Sequence, residues 1–262
     1  EILNENNKST FLLKIDYINS YYDYQDFEKE NKEIYKAFFD KKNNKLFLKK
    51  NEVIIDKNIY IPKNLEVVIK SNQKIFLINN AFIVSKSPWT LNGDKGEIIL
   101  SGYQNNYGGG ILITDVNKKS IFHNVKISYL QGININKYFE YIILGSINFH
   151  QTNVELKNVS FKDIISEDAI NIFRSDFEIY DVSYVNISSD AIDVDFSTGN
   201  INRAKFFNVQ NDAIDFSGSI ANIENSYFDT INDKIISAGE RSKINVNQVE
   251  AINSHAGIIS KD

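Results

Sequence analysis

The sequence predicts an all-β fold, a parallel β-solenoid with about 22 residues in each coil, preceded by a short helical segment. Three observations support this prediction. A polar motif recurs at a fixed period, an apolar pattern keeps step with it, and the whole chain contains only two prolines. Proline interrupts the hydrogen bonding of inner strands, so its scarcity is typical of a chain built largely from paired strands.

The period is marked by a series of aspartates. Asp168, Asp190, Asp212 and Asp233 follow one another at intervals of 22, 22 and 21 residues, and a further interval of 22 ends at His255. Around these positions the chain reads DAIN, DAID, DAID, DKII and HAGI. An aspartate at a coil corner accepts hydrogen bonds from turn amides, so we expect a structural role for this column.

An apolar pattern with steps of three, two and three residues recurs in each unit. Its copies are Phe122-Val125-Ile127-Leu130, Leu156-Val159-Phe161-Ile164, Ile179-Val182-Tyr184-Ile187, Ile201-Ala204-Phe206-Val209, Ile223-Ser226-Phe228-Ile231 and, more weakly, Ile244-Asn247-Val249-Ile252. Stacked strands are about 4.8 Å apart, so equivalent residues of successive coils lie over one another. We therefore expect columns of isoleucine and phenylalanine inside the solenoid.

One insertion interrupts the repeat. The copy that begins at Phe122 precedes the copy at Leu156 by 34 residues instead of 22. The extra residues fall near 133–143, are rich in tyrosine and phenylalanine, and predict a loop. Tyr138 and Tyr141 in this loop are candidates to bind a carbohydrate, and packing on the flank of the solenoid is the alternative.

The N-terminal part differs from the repeats. Residues 1–50 are predicted to be a cap or linker with a short helix, and residues 51–262 to be the parallel β-helix. The helix is expected within residues 23–41, where four large apolar side chains share one face: Phe27, Ile34, Tyr35 and Phe38. Such a helix would cover the open strand edges of the first coil.

Composition excludes several classes of protein. There is no cysteine, which excludes disulfides and thiol chemistry. No apolar run is long enough to span a membrane. The absence of Met at position 1 indicates a processed or trimmed chain. Residues 161–262 contain 17 acidic and 8 basic residues, a balance of −9 that disfavours a nucleic-acid partner. The sequence does not predict an oligomeric state.

The stretch DAIDVDF predicts an acidic patch. Its alternation directs Ile192 and Val194 inward, and Asp193 and Asp195 outward. Stacking then predicts an outward column of Asn148, Asn171, Asp193 and Asp215, beside a second column of His150, Phe173, Asp195 and Ser217. Stacked carboxylates repel one another, so one of them is expected to hold a proton or a cation. Arg174 and His150 join the three aspartates as candidates for catalysis. Three lysines of this region are candidates to bind substrate: Lys205, Lys234 and Lys261.

Three reactions fit such a patch. In a uronate lyase, Asp193 and Asp215 would hold Ca²⁺, with Arg174 or Lys205 near the sugar. In a glycoside hydrolase, the acid and the base would come from Asp193, Asp195 and Asp215. In an epimerase, His150 and Asp195 would act on opposite faces of the ring. A solvated ladder of outward polar residues without catalytic function is the alternative.

The repeats resemble a known family. The series DAINIFRS, DAIDVDFSTG, DAIDFSGS, DKIISAGERS and GIISKD resembles bacterial right-handed parallel β-helix proteins of the pectin-lyase-like superfamily. It is most similar to the β-helix domains that follow spore-coat-type kinase domains in some surface proteins. This resemblance implies a right-handed parallel β-helix and an extracytoplasmic carbohydrate partner. The NTD and GHG motifs of the β-helical pectin hydrolases are absent.

The sequence thus predicts a secreted or cell-surface protein that binds or modifies a polysaccharide or surface glycan through the Asp/Arg patch. If the protein is an enzyme, a polysaccharide lyase or a glycoside hydrolase is expected. The alternative is a non-catalytic surface module that presents or spaces other domains, because members of one fold perform unrelated functions.

Overall fold

The computed structural model describes residues 2–5, 8–11, 25–133 and 143–261. Two short strands, β1 (Ile2–Glu5) and β2 (Lys8–Phe11), pair in an antiparallel manner. A helix α1 (Gln25–Asn31) and a 3₁₀ helix (Ile34–Ala37) follow. Neither of these helices has the length and hydrophobicity that a membrane span needs.

The remaining chain is a succession of strands. The first half contains β3 (Phe39–Lys42), β4 (Lys45–Leu48), β5 (Glu52–Ile55), β6 (Ile59–Ile61), β7 (Glu66–Lys70), β8 (Lys74–Leu77), β9 (Ile83–Ser85), β10 (Trp89–Asn92), β11 (Ile98–Gly102) and β12 (Ile111–Ser128). The second half contains β13 (Gly145–Ile164), β14 (Asp168–Phe173), β15 (Asp176–Tyr180), β16 (Ser183–Ile187), β17 (Asp190–Asp195), β18 (Thr198–Asn202), β19 (Lys205–Val209), β20 (Ile214–Ser217), β21 (Ile220–Glu224), β22 (Tyr227–Ile231), β23 (Lys234–Gly239), β24 (Lys243–Asn247), β25 (Glu250–Ile252) and β26 (Ala256–Ser260).

These strands stack into three parallel sheets, and each complete coil contributes one strand to each sheet. The first sheet contains β6, β9, the beginnings of β12 and β13, β14, β17, β20, β23 and β26. The second sheet contains β4, β7, β10, the middle parts of β12 and β13, β15, β18, β21 and β24. The third sheet contains β5, β8, β11, the ends of β12 and β13, β16, β19, β22 and β25. The predicted parallel β-helix is confirmed.

The interior consists of stacked apolar columns, as the apolar repeat predicts. Tyr184 stacks between Phe161 and Phe206, with ring centroids 4.9 and 5.0 Å apart, and Phe206 stacks on Phe228 at 4.7 Å. All four rings are fully buried. Aromatic pairs contribute about 0.5–1.5 kcal/mol beyond the burial of their surface, so this column stabilises the register of the coils.

Asparagine and aspartate make up most of the non-glycine residues in the left-handed backbone region, which is one reason for the abundance of asparagine. The corner between the third and first sheets has Asp163, Asn186 and Asn208 in the left-handed backbone region, with φ between 54° and 56°. These residue types tolerate this region better than most others. Their side chains form a ladder: Asn186 Nδ2 donates to Asp163 Oδ1 at 2.8 Å, and Asn208 Nδ2 donates to Asn186 Oδ1 at 2.9 Å.

The short N-terminal helix predicted within residues 23–41 is confirmed. The chain forms α1 and the 3₁₀ helix and then enters β3 at Phe39, so the predicted range contains two short helices and the start of a strand. Phe27 of α1 packs on the outer face of the first sheet, 5.3 Å from the Phe82 ring and 6.2 Å from the Tyr60 ring. Stacking begins at β4, which pairs with β7, because the strand residues of β4 are already apolar on one face.

The predicted insertion begins and ends at neighbouring points of the solenoid. Ile133 and Ile143 form an antiparallel bridge, so the chain leaves and returns at one place. Tyr138 and Tyr141 lie in residues 134–142, outside the described residues.

The predicted column of aspartates is wrong at its last two positions. Lys234, rather than Asp233, lies one coil after Asp212 and pairs with Ala256, rather than with His255, in the following coil. The register is set by the apolar alternation, which places Ala238 on Phe216 inside the solenoid. Asp233 and His255 are therefore displaced from the aspartate column by one residue.

Candidate functional site

The outward residues of the first sheet form the two predicted columns. The strand register stacks Asn148 on Asn171, Asn171 on Asp193, and Asp193 on Asp215. The second column contains His150, Phe173, Asp195 and Ser217. Their positions follow from the alternation of β17, whose residues Ile192 and Val194 are fully buried. We call the group Asp193, Asp195 and Asp215 the acidic face.

A chain of hydrogen bonds orients the first carboxyl of this face. Asn171 Nδ2 donates to Asp193 Oδ2 at 2.7 Å, and the other amide atom, Oδ1, lies 2.7 Å from His150 Nε2. His150 therefore carries its proton on Nε2. It is 6% exposed, and burial lowers the pKa of His150 to about 4. The histidine is neutral at physiological pH and holds Asn171 in position.

The acidic face favours protonated carboxyl groups. Burial, together with the charges of Asp195 and Asp215, raises the pKa of Asp193 well above its usual range. Burial also raises the pKa of Asp195, with a smaller contribution from Glu240. Asp193 and Asp195 therefore both release their protons at higher pH than an isolated aspartate does.

Two of the corner aspartates have the predicted structural role. Asp190 Oδ1 accepts a hydrogen bond from the amide of Asp212 at 2.7 Å, and Asp212 Oδ1 accepts one from the amide of Lys234 at 2.9 Å. Burial raises the pKa of Asp190 to about 7. Each carboxyl connects one coil to the next, so these residues stabilise the stacking.

Asp168 differs from these two aspartates. It is 2% exposed, and its Oδ2 atom has no hydrogen-bond partner among the described residues. Burial, followed by the charges of Asp193 and Asp190, raises the pKa of Asp168 to about 9. Asp168 therefore holds a proton at neutral pH behind the acidic face.

The predicted cations are divided between different surroundings. Lys261 Nζ lies 3.9 Å from Asp215 Oδ2, and the Arg174 guanidinium lies over the Phe173 ring, 4.9 Å from its centroid. Lys234 forms ion pairs with Asp212, at 2.8 Å, and with Asp233. Lys205 begins β19 in the third sheet, in register with Ser183 and Tyr227, away from the acidic face. His150 is two coils away from Asp195 in the second column.

An exposed aromatic residue that sequence reasoning missed borders the acidic face. Phe196 follows Asp195, is 54% exposed and has a φ of 48°, a conformation that is rare for a bulky residue. Its ring lies against Gly218, where an added Cβ would be 2.6 Å from the ring. The sequence signal for this contact is the spacing of 22 residues, one coil, between Phe196 and Gly218. In contrast, Trp89 is fully buried in the core.

The described residues contain no group of three or more His, Cys, Asp or Glu side chains arranged to hold a metal ion. The stacked pair Asp193 and Asp215 offers two carboxylates to a cation. A Ca²⁺ ion prefers six to eight oxygen ligands, so the other ligands would have to come from substrate and water. Calcium binding at this pair stays a prediction.

Comparisons with known proteins give no family. No protein-family model matches the chain, and no curated protein matches it. The resemblance to domains associated with spore-coat kinases therefore has no support beyond the motifs themselves.

Two solved structures are similar in part. The first is the catalytic unit of a thermostable GH87 alpha-1,3-glucanase from Streptomyces thermodiastaticus, with 10% identity and a TM-score of 0.29 over 83% of this chain. This chain covers 59% of the length of the glucanase unit. The second is the periplasmic alginate epimerase AlgG, with 8% identity and a TM-score of 0.24 over 86% of this chain and 80% of that one. Neither similarity is close enough to indicate function.

Proposed function

We propose that the acidic face binds a polysaccharide and hydrolyses it, with Asp193 as the proton donor. One observation carries this proposal: a carboxyl whose pKa is raised well above its usual range, by burial and by two neighbouring aspartates, lies on an outward column of the solenoid. A fully solvated ladder of aspartates would not raise the pKa of one member in this way. A glycoside hydrolase needs such a group to protonate the leaving oxygen.

Asp215 is the second carboxyl of the proposed reaction. It is stacked directly on Asp193, is partly exposed and forms an ion pair with Lys261. Residues stacked on adjacent strands are about 4.8 Å apart. This spacing is close to the separation of about 5–5.5 Å that is typical of retaining enzymes, in which the second carboxylate attacks the anomeric carbon. Water then releases the sugar, and Asp193 takes the proton of that water.

Phe196 would bind the sugar next to the carboxyls. An exposed aromatic ring presents an apolar surface to the C–H face of a pyranose, and this ring directly follows Asp195. A strained, exposed aromatic residue is costly for folding and is typical of a functional site.

Hydrolysis of a neutral glycan fits the face better than lyase chemistry on a uronate. A lyase must neutralise the carboxylate of its substrate, but aspartates outnumber lysines in this region. Lys234 is already paired with Asp212 and Asp233, and Lys261 is paired with Asp215. Unmasked carboxylates on the face would repel an acidic substrate. We place the protein in an extracytoplasmic setting, where polysaccharides are accessible.

The second candidate is a non-catalytic surface module. It is favoured by Asp190 and Asp212, whose hydrogen bonds to backbone amides show that aspartates of this repeat also connect coils. The two candidates predict different outcomes for the same variant, because a structural aspartate contributes to stability and a catalytic one contributes to turnover.

The test is the release of reducing ends from a panel of neutral polysaccharides. We expect Asp193→Asn to lose about 10²-fold or more of the activity without loss of folding. Asp229→Asn is the matched control, because Asp229 is a strand residue of the third sheet away from the acidic face. If the unmodified protein releases no reducing ends from any substrate, the hydrolysis proposal is wrong and the surface module remains as the candidate function. Absorbance near the ultraviolet band of unsaturated uronates, with and without Ca²⁺, detects lyase activity separately.

A further inference from the structure

A polar groove lies in the first coils, apart from the acidic face. Its volume is about 670 Å³. Its walls come from five successive levels of the solenoid, at residues 43–45, 63–66, 86 and 88, 115–118, and 151. Four steps of about 4.8 Å give a length of roughly 19 Å along the axis. A groove of this length fits a linear chain better than a single small molecule.

The groove is basic, although the protein as a whole is acidic. Lysines from four levels line it, and two carboxylates accompany them: Lys45, Lys63, Lys86, Lys118, Glu66 and Asp115. Four positive and two negative charges leave a surplus of two positive charges in a protein with a net charge of −5. A concave surface of one sign concentrates ligands of the opposite sign.

The carboxylates hold the lysines in place. Glu66 is 3.5 Å from Lys45 Nζ and 2.8 Å from Lys118 Nζ, and it accepts a hydrogen bond of 2.9 Å from Thr90. Although burial opposes ionisation, the hydrogen bonds from Lys118 and Thr90 lower the pKa of Glu66. Lys86 Nζ lies 3.2 Å from Asp115. Three of the four lysines, Lys45, Lys86 and Lys118, are therefore paired before a ligand arrives, which reduces the entropic cost of binding.

The rest of the lining identifies the ligand. Five amide side chains contribute donors and acceptors that suit hydroxyl groups: Asn43, Asn44, Asn64, Asn117 and Gln151. No aromatic ring belongs to the lining described. Proteins that bind single-stranded nucleic acids stack the bases on aromatic side chains, so a polyanion with hydroxyl groups fits this groove better than a nucleic acid.

We infer that this groove binds a linear acidic polysaccharide, with uronate carboxylates facing the lysines and sugar hydroxyls facing the amides. This site does not rest on the proposed hydrolysis. The acidic face disfavours negative charge and the groove attracts it, so the two sites select different ligands or different parts of one polymer.

The experiment is calorimetric titration with tetragalacturonate, with maltotetraose as the uncharged probe. We expect the unmodified protein to bind tetragalacturonate, more weakly as salt is added, and not to bind maltotetraose. The double variant Lys63→Gln/Lys118→Gln should bind about 10-fold more weakly. Lys74→Gln/Lys126→Gln is the matched control, since both lysines are exposed and in the third sheet.

Three outcomes would overturn the inference. The first is that tetragalacturonate does not bind. The second is that Lys63→Gln/Lys118→Gln leaves the binding unchanged while the variant remains folded. The third is equal affinity for a single-stranded oligonucleotide of the same charge. Asp193→Asn should leave this binding intact. A failure of the hydrolysis proposal is thereby distinguishable from a failure of the groove proposal.

Discussion

Asn171 donates a hydrogen bond of 2.7 Å to Asp193 from the preceding coil. The same amide is held by His150, one coil further back. The proton donor of the proposed reaction is thus oriented by residues of two other coils. This arrangement follows directly from stacking, which places side chains 22 or 23 residues apart beside one another.

Removal of this amide should change the pH dependence of activity. The hydrogen bond from Asn171 favours the charged form of Asp193 and lowers its pKa, against the larger effect of burial. In Asn171→Ala we therefore expect the alkaline limb of the pH–rate profile to move to higher pH. Asn222→Ala is the control, because Asn222 belongs to an asparagine ladder in the second sheet. A limb that stays in place or moves to lower pH would contradict the assigned hydrogen bond.

Stability should decrease as pH rises, through Asp168. The pKa of this carboxyl is about 9 in the folded protein and about 3.9 in the unfolded chain. The folded state therefore binds more protons between these values. The contribution of Asp168 to the unfolding free energy is complete below about pH 4 and is lost as pH rises through the folded pKa. At about pH 7, the unfolding free energy has fallen by roughly 4 kcal/mol from its value below about pH 4.

Urea unfolding at several pH values measures this effect. Asp168→Asn should flatten the decrease between about pH 4 and pH 8 and should be more stable than the unmodified protein at about pH 8. Asp181→Asn is a control of opposite sign, because Arg203 holds the pKa of Asp181 below its usual range. Asp181 is partly exposed, so its effect should stay below about 1 kcal/mol. A steep decrease that persists in Asp168→Asn would assign the effect to other groups.

Phe196→Ala should weaken substrate binding without unfolding the protein. The residue is 54% exposed, but its ring packs against Gly218 and lies edge-on to Phe173 with the centroids 6.2 Å apart, so its truncation should lower the unfolding free energy by about 1–2 kcal/mol. We expect a rise in KM in steady-state kinetics on the active polysaccharide. Ile220→Ala is the matched control, since Ile220 is 52% exposed on β21 in the second sheet. An unchanged KM would show that the ring does not contact the sugar.

Tyr184→Phe should stabilise the protein. The ring stacks between Phe161 and Phe206, but its hydroxyl is buried with no hydrogen-bond partner among the described residues. An unsatisfied buried hydroxyl costs about 1–3 kcal/mol, so its removal should increase the unfolding free energy by about 1 kcal/mol. Tyr184→Ala should instead lose about 3–5 kcal/mol, because it leaves a cavity within the column. Destabilisation by Tyr184→Phe would indicate a hydrogen bond to the hydroxyl.

The sequence predicts the fold and the columns well, because two periods determine them. The alternation in DAIDVDF assigns inward and outward residues, and the coil length stacks Asp193 on Asp215. The same reasoning fails at DKII, where the aspartate motif and the apolar alternation disagree by one residue. Packing of Ala238 on Phe216 determines the outcome, and a motif of single letters does not carry that information.

The environment of each site residue is less predictable. Sequence alone does not indicate that His150 is buried and bonded to Asn171, since both facts depend on the positions of side chains in three dimensions. It also does not distinguish Asp190, which accepts a backbone hydrogen bond, from Asp168, which has a buried oxygen without a partner. These differences arise from contacts between coils rather than from local sequence.

The proposed reaction requires that Asp193 holds a proton at neutral pH on the outward face of the solenoid. The most direct measurement is the infrared difference spectrum between the unmodified protein and Asp193→Asn at about pH 7. Asp181→Asn is the control, because the hydrogen bond from Arg203 lowers the pKa of Asp181. We expect Asp193→Asn to remove a carbonyl band of a protonated carboxyl, and Asp181→Asn to remove carboxylate bands. Loss of carboxylate bands in both variants would mean that Asp193 is ionised, and the proposed proton donor would be wrong.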